Sequence, residues 1–334
     1  MKIALDAMGS DNAPRAELQG IALALEEDSS LEVVLVGQGE IIAGFNRNCS
    51  ARLELVSATE VVGMHEAPSD AVKRKRNSSI AVCMRLLKEG KVDGVVSAGN
   101  TGAVMAYALT MIGAVPGVHR PTLAVMFPTV KGSSMVLDVG ANVDASPLQL
   151  YQFGLMGATA ASYLLRKANP SVGLLNIGRE ESKGNDAILG AYRMFKQSEL
   201  NFVGNIEGYD ILKGTADVVV CDGLVGNVLL KYGEGLAEVV AGMLADYLES
   251  ESRYRLRRWL SKPVLQEFID RMDYQEHGGA LLLGVEAPVV VAHGRSSPRA
   301  IMNALRSACR AVEGNITEHI RKRFTQEKGI ETGE

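Results

Sequence analysis

The chain has 334 residues, 47% of them hydrophobic and 22% charged, with a formal net charge of −4. That length supports one large domain or two tightly joined lobes around a sizeable core, and the slightly acidic balance argues against nucleic-acid binding. Cys49, Cys83, Cys221 and Cys309 form no C-x-x-C pair, so neither a zinc site nor a disulfide framework is expected. Met1-Lys2 runs straight into IALD without a signal-peptide h-region, and a reducing cytoplasm is the expected setting.

From the first strand onward, short β-rich runs alternate with helical stretches. KIALD precedes a helix near residues 16–27, LEVVLVG one near 40–46, LELVS one near 79–88, and DGVVS one near 102–112. LAVMF and MVLDV follow, then a helix opened by Ser146-Pro147, where serine caps and proline takes the first helical position. VGLLN leads to a helix near 186–197, followed by NFVG and DVVVC; Ser297-Pro298 opens a last helix. Runs such as VVVC are apolar on both faces, as in strands covered by helices on both sides. The expected class is α/β with a largely parallel sheet. Residues 94–118 carry no charge and are long enough to imitate a membrane span, but Asn100, Pro116 and five glycines make them a buried strand, loop and helix.

Each of six strands runs into a loop of Gly, Asn, Asp and Ser. DAMGSDNAP offers Asp6, and SAGNTGA offers Gly99, Asn100, Thr101 and Gly102. DVGANVDASP brings Asn142 and Asp144, while NIGREESKGN brings Gly178, Glu180, Lys183, Gly184 and Asn185. GNIEG adds Asn205, CDGLVGN adds Asp222, Gly226 and Asn227, and His293 ends the run VVVA. In an open α/β sheet ligands bind outside the carboxyl ends of the strands, so the six loops are expected to converge on one crevice. No G-x-G-x-x-G follows a strand, and no Walker A, H-E-x-x-H or G-x-S-x-G sequence is present. Neutral donors and one placed cation, Lys183, suit a reaction that holds an anion and stabilises a developing oxyanion. A salt bridge to Glu180, Glu181 or Asp186 is the competing reading of Lys183, a helix cap that of Asn227, and a packing role that of His293.

In this order the loops, completed by HGGALLLG and HGRSS, resemble the bacterial phosphate acyltransferase of phospholipid synthesis, nearly end to end. The resemblance implies a three-layer α/β/α fold with a largely parallel mixed sheet, like the isocitrate and isopropylmalate dehydrogenases and the phosphotransacetylases. It implies two intertwined lobes forming one catalytic domain over 1–334, and a homodimer. The implied reaction moves a fatty acyl group from acyl-(acyl carrier protein) to inorganic phosphate, with no metal and no organic cofactor. Lys183 and Asn227 take the catalytic positions: the ammonium holds phosphate and the amide donates to the tetrahedral oxyanion. Three positions depart from the family: Ser10 for a second glycine, Tyr209 for an arginine, and His277 for an aromatic residue before Gly-Gly.

Two basic stretches stand out. Arg74, Lys75 and Arg76 lie in KRKRNSS and could dock the acidic carrier protein. RYRLRRWLSK, within a protruding helical segment expected at 245–275, places Leu256, Trp259, Leu260 and Val264 at helical spacing beside Arg253, Arg257 and Arg258. That pattern fits an interfacial helix on anionic lipid, a carrier-protein contact or a dimer-facing helix. The expected location is therefore cytoplasmic with peripheral membrane contact, either with lipid or with the membrane glycerol-3-phosphate acyltransferase. Competing functions are a phosphotransacetylase acting on a short acyl-CoA, a decarboxylating dehydrogenase needing Mg²⁺ and a nicotinamide nucleotide, and a non-catalytic membrane scaffold.

Overall fold

The computed structural model describes residues 1–43, 51–250 and 278–326. Cys49, the end of the helix expected at 40–46, His277 and the basic run around Arg253, Leu256, Arg257, Arg258, Trp259, Leu260 and Val264 lie outside the described residues.

The chain opens with β1 (Lys2–Asp6), α1 (Arg15–Glu27), β2 (Glu32–Gln38), α2 (Gly39–Ala43) and β3 (Leu53–Ala58). It continues through α3 (Pro68–Arg74), α4 (Ser79–Lys88), β4 (Gly94–Ser97) and α5 (Thr101–Tyr107), which passes into a π-helical turn at Ala108–Ile112. Next come β5 (Thr122–Thr129), β6 (Gly132–Leu137), α6 (Pro147–Leu164), β7 (Ser171–Leu175) and α7 (Asp186–Gln197). These lead to β8 (Asn201–Ile206), α8 (Gly208–Leu212), β9 (Val218–Val220) and α9 (Gly223–Ser250). The last described stretch holds β10 (Ala280–Leu283), β11 (Val289–Val291), α10 (Pro298–Glu313) and α11 (Ile316–Gln326).

Eleven strands among the described residues form one sheet, ordered β3-β2-β1-β4-β11-β10-β5-β6-β9-β7-β8. Pairing is parallel from β3 to β11 and again from β6 to β8, but β11-β10, β10-β5 and β5-β6 are antiparallel. The two parallel blocks therefore point in opposite directions. This corrects the expectation of one crevice: the loops after β1, β4 and β11 emerge at one end of the sheet, and those after β6, β7, β8 and β9 at the other.

Side chains alternate between two cores. Ile3 and Leu5 join the core under α1, α6, α7, α10 and α11, while Ala4, Val95 and Val291 join the core under α3, α4, α5 and α8, which Leu229 and Leu230 of α9 also cover. Helices on both faces are the three layers expected. The predicted caps form as read. Ser146 Oγ accepts from Gln149 N while Ser146 N donates to Gln149 Oε1, a reciprocal capping box, and Ser297 accepts from Ala300 N at 3.2 Å. The helix expected at 102–112 changes character halfway, where Thr110 returns its hydroxyl to the Ala106 carbonyl at 2.7 Å. Helix α3 was not legible as a helix; Lys73 and Arg74 close its last turn, where cations suit the dipole.

Candidate active site

Ligand crevices open where adjacent parallel strands send their helices to opposite faces. That happens at both ends of this sheet. β7 feeds α7 on the first core while its neighbour β9 feeds α9 on the second; at the other end β1 feeds α1 and its neighbour β4 feeds α5.

The crevice beside β7 and β9 is built on Asp138, a buried residue that the sequence reading passed over although it directly follows the strand MVL. Its carboxylate accepts from the backbone N–H groups of Leu123, Gly140, Ala141 and Asn142, and from the Asn142 amide at 2.8 Å. Asn142 also donates to Pro121 O, and its own carbonyl accepts from Gly223 N at 2.9 Å. Asp222 accepts from Ala145 N and Leu224 N, which ties the loop after β6 to the start of α9. Gly223 and Gly226 make this approach possible: a Cβ at Gly223 would stand 2.3 Å from Asn142 O. Asp144 holds a left-handed backbone at φ 60° and is exposed in the same loop.

Across from it, Asn176 donates to the Lys183 carbonyl at 2.9 Å, and Asn205 donates to the Glu180 carbonyl at 2.9 Å. The loop coils tightly, with Gly178 against Glu180 Oε2 and Gly184 at φ 102° against Ile188. Asn185 caps α7 through Ile188 N. Arg179 pairs with the buried Asp210 at 2.8 Å, and Glu181 pairs with Lys196, not with Lys183. Tyr209, at the position where the family often carries arginine, stands between Arg179 and Lys213 and donates to Glu207.

Against this background two donors stand out. Lys183 is exposed and its ammonium has no ion-pair or hydrogen-bond partner among the described residues. Asn227 lies one turn inside α9, too late to cap it; its side chain rests against Gly140, and its amide is likewise unengaged among the described residues. The asparagines around them are occupied with holding the loops.

The other crevice has a buried acidic floor. Asp6 accepts from Ser97 Oγ at 2.7 Å and Met8 N at 3.0 Å, and burial pushes its carboxyl above the usual range. Gly9, not Ser10, makes the close backbone approach, since a Cβ there would lie 2.5 Å from Gly99 N. Ser10 is buried and turned toward the buried Glu17. Asn100 caps α5 through Ala103 N and gives its amide to the carbonyls of Gly63, Met64 and Glu66. Its side chain clamps the loop after β3, while Thr101 opens α5 in the exposed first turn and Gly102 packs on Pro68. His293 Nδ1 accepts from Arg295 N at 3.1 Å. Burial, with Lys231 and Arg295 nearby, holds its imidazole below the usual histidine value.

The basic run at 74–76 is not uniform. Lys75 donates to Glu66 and to Val61 O at 2.6 Å, whereas Arg74 and Arg76 are exposed. No described helix is long and apolar enough to cross a membrane.

The fold matches a branched-chain phosphotransacylase from Enterococcus faecalis V583 with a TM-score of 0.61 at 16% identity, covering 93% of this chain and 99% of that one. A phosphotransacetylase from Streptococcus pyogenes matches at 0.60 and 18% identity, over 94% of each chain. The sequence signature of the fatty acid synthesis protein family covers residues 1–319. A phosphate acyltransferase from Heliobacterium modesticaldum is 46% identical over 96% of this chain and 98% of its own length; one from Nostoc punctiforme is 44% identical over 98% of each. The chain belongs to this fatty acid synthesis protein family.

Proposed function

We propose that the protein is an acyltransferase that moves a fatty acyl group from acyl-(acyl carrier protein) to inorganic phosphate, forming acyl phosphate for phospholipid synthesis. The observation that carries this reading is the pair of unengaged donors, Lys183 and Asn227, flanking the switch point between β7 and β9. Full-length similarity to phosphate acyltransferases supports the reaction class.

A phosphate oxygen attacks the thioester carbonyl, forming the new C–O bond. The tetrahedral intermediate then expels the pantetheine thiolate as the C–S bond breaks. The proton lost by phosphate leaves to solvent or returns to the thiolate, whose ordinary pKa of about 8.5 lets it depart with little acid help. Lys183 holds the phosphate and offsets its charge as it nears the carbonyl. Asn227 donates to the oxyanion, a contact whose loss typically costs about 10²–10³ in rate. No protein nucleophile is required, because the thioester is already activated.

The remaining partners belong to the same proposal. Arg74 and Arg76 offer an exposed basic surface for the acidic carrier protein. The protein works as a homodimer in the cytoplasm, and the basic segment around Trp259 makes peripheral contact with anionic membrane. Long-chain acyl-(acyl carrier protein) incubated with labelled phosphate and a chelator should yield labelled acyl phosphate. Strict dependence on a metal and a nicotinamide nucleotide would overturn the reading.

A further inference from the structure

The two crevices are not isolated, because α9 runs from one toward the other. Asn227 rests against Gly140 at the first, and six residues on, a Cβ at Gly233 would stand 3.5 Å from the Phe127 ring. Phe127 lies toward the opposite end of β5 from Leu123, whose N–H donates to Asp138. Leu123 to Phe127 spans four residues of strand, about 14 Å.

Register places His293 level with Phe127. Leu281 faces Ala124 across the β10-β5 ladder, and Ala280 faces Val291 across β10-β11. Leu281 also faces Val290, so Ala124 and Val290 are level, and three residues further along β5 and β11, which run the same way, Phe127 and His293 stand level, two strand spacings or about 10 Å apart. Phe127 and Val291 share the core under α9, and His293, two residues beyond Val291, projects to that same side. Lys231 is one helical turn past Asn227 on the same stripe of α9, is exposed, and makes no ion pair among the described residues. A lysine there reaches the row from above. Arg295, exposed, leaves the loop after β11 beside it, and its N–H fixes His293 with Nε2 as the donor. Asp11, whose N–H binds Gly294 O at 2.8 Å, is the acid facing this group. Two cations and an imidazole N–H thus meet one carboxylate.

We infer that Lys231, Arg295 and His293 form an anion site for the phosphate ester of the acyl donor's pantetheine arm, separate from the site of the acceptor phosphate at Lys183. The inference rests on the proposed acyl transfer. An extended arm from phosphorus to sulfur matches the backbone of four or five residues, about 15 Å, close to the interval along β5. With its phosphate at the level of His293, about 14 Å along β5 from the Leu123 end, the arm lays its thioester beside Asn227, and Lys231, about 6 Å of helix axis from Asn227, reaches the phosphate through its own long side chain. Lysine and arginine suit a phosphate ester, since charge-assisted hydrogen bonds to it are roughly twice as strong as neutral ones.

The test compares two donors, acyl-4′-phosphopantetheine and acyl-pantetheine, in the wild-type protein and in Lys231→Ala and Arg295→Ala. The wild type should favour the phosphorylated donor about tenfold in kcat/KM, and each variant should lower that ratio toward one with the KM for phosphate unchanged. Calorimetric titration of 4′-phosphopantetheine, which reads binding without turnover, should show the same loss while melting temperatures hold. A variant that raises the phosphate KM and keeps the donor ratio would assign these residues to the acceptor and overturn the inference. So would a wild type blind to the donor's phosphate. Absence of acyl phosphate from every donor would instead remove the proposed reaction itself.

Discussion

Gly226 sits directly on the carbonyl oxygen of Asp138: a Cβ at Gly226 would lie 1.8 Å from it. This contact joins the first turn of α9 to the end of β6 and so fixes where Asn227 points. Gly226→Ala must push the helix off the strand. A cost near the top of the range for forced overpacking, about 3 kcal/mol, is expected, with activity falling further than stability. Denaturant unfolding and turnover measured on the same preparation check this; an unchanged midpoint would mean that the helix start yields freely.

Lys183→Ala and Asn227→Ala should each lower turnover by at least about 10²-fold, because both side chains act on charge that develops in the reaction. Neither side chain supports the fold among the described residues, so melting should stay near that of the wild type. Normal turnover with normal melting in either variant would remove that residue from the chemistry.

His293 gives a pH signature. Its folded pKa lies below the unfolded value, so the unfolded chain binds more protons in that interval. Its contribution to stability is present above the ordinary histidine pKa of about 6.5 and is lost as pH falls through the folded value. His293→Gln should therefore show a shallower loss of stability between neutral and mildly acidic pH. Parallel curves for variant and wild type would contradict the assignment.

The basic run at 74–76 should split by role. Arg74→Ala with Arg76→Ala should raise the Michaelis constant for the carrier protein and weaken its dependence on salt. Lys75→Met should instead lower the melting temperature, since it removes the bonds to Glu66 and Val61. Equal effects of both changes on carrier affinity alone would show that Lys75 belongs to the docking surface.

Trp259 is the single tryptophan of the chain, so its fluorescence reports the basic segment alone. Anionic vesicles should shift its emission to the blue and neutral vesicles much less, with about 1 kcal/mol of attraction per basic residue near the surface. Leu256→Glu with Leu260→Glu should abolish vesicle binding and spare activity on soluble acyl-(acyl carrier protein). Loss of the dimer and of activity together would make the segment an interface helix.

The elements and their local punctuation follow from short-range residue patterns. Apolar runs such as VVVC, the Ser146-Pro147 and Ser297-Pro298 caps, and helices at 79–88 and 186–197 depend on neighbours a few residues away, and all were legible. So were Lys183 and Asn227 as candidate donors. Which loops meet depends on strand direction and long-range packing. A strand's composition is the same whichever way it runs, so nothing local announces that β5 and β10 reverse the sheet and part Asp6 from Asn142. Asp138 reads as an ordinary loop acid until five hydrogen bonds converge on it, four from Gly140, Ala141 and Asn142 and one from Leu123 across the antiparallel β5-β6 pair, and Asn100 reads as a ligand group until three distant carbonyls claim its amide. The nearness of Lys231 to His293 arises the same way: residues far apart in sequence become neighbours through strand register and the path of one long helix, and only the packed sheet sets both.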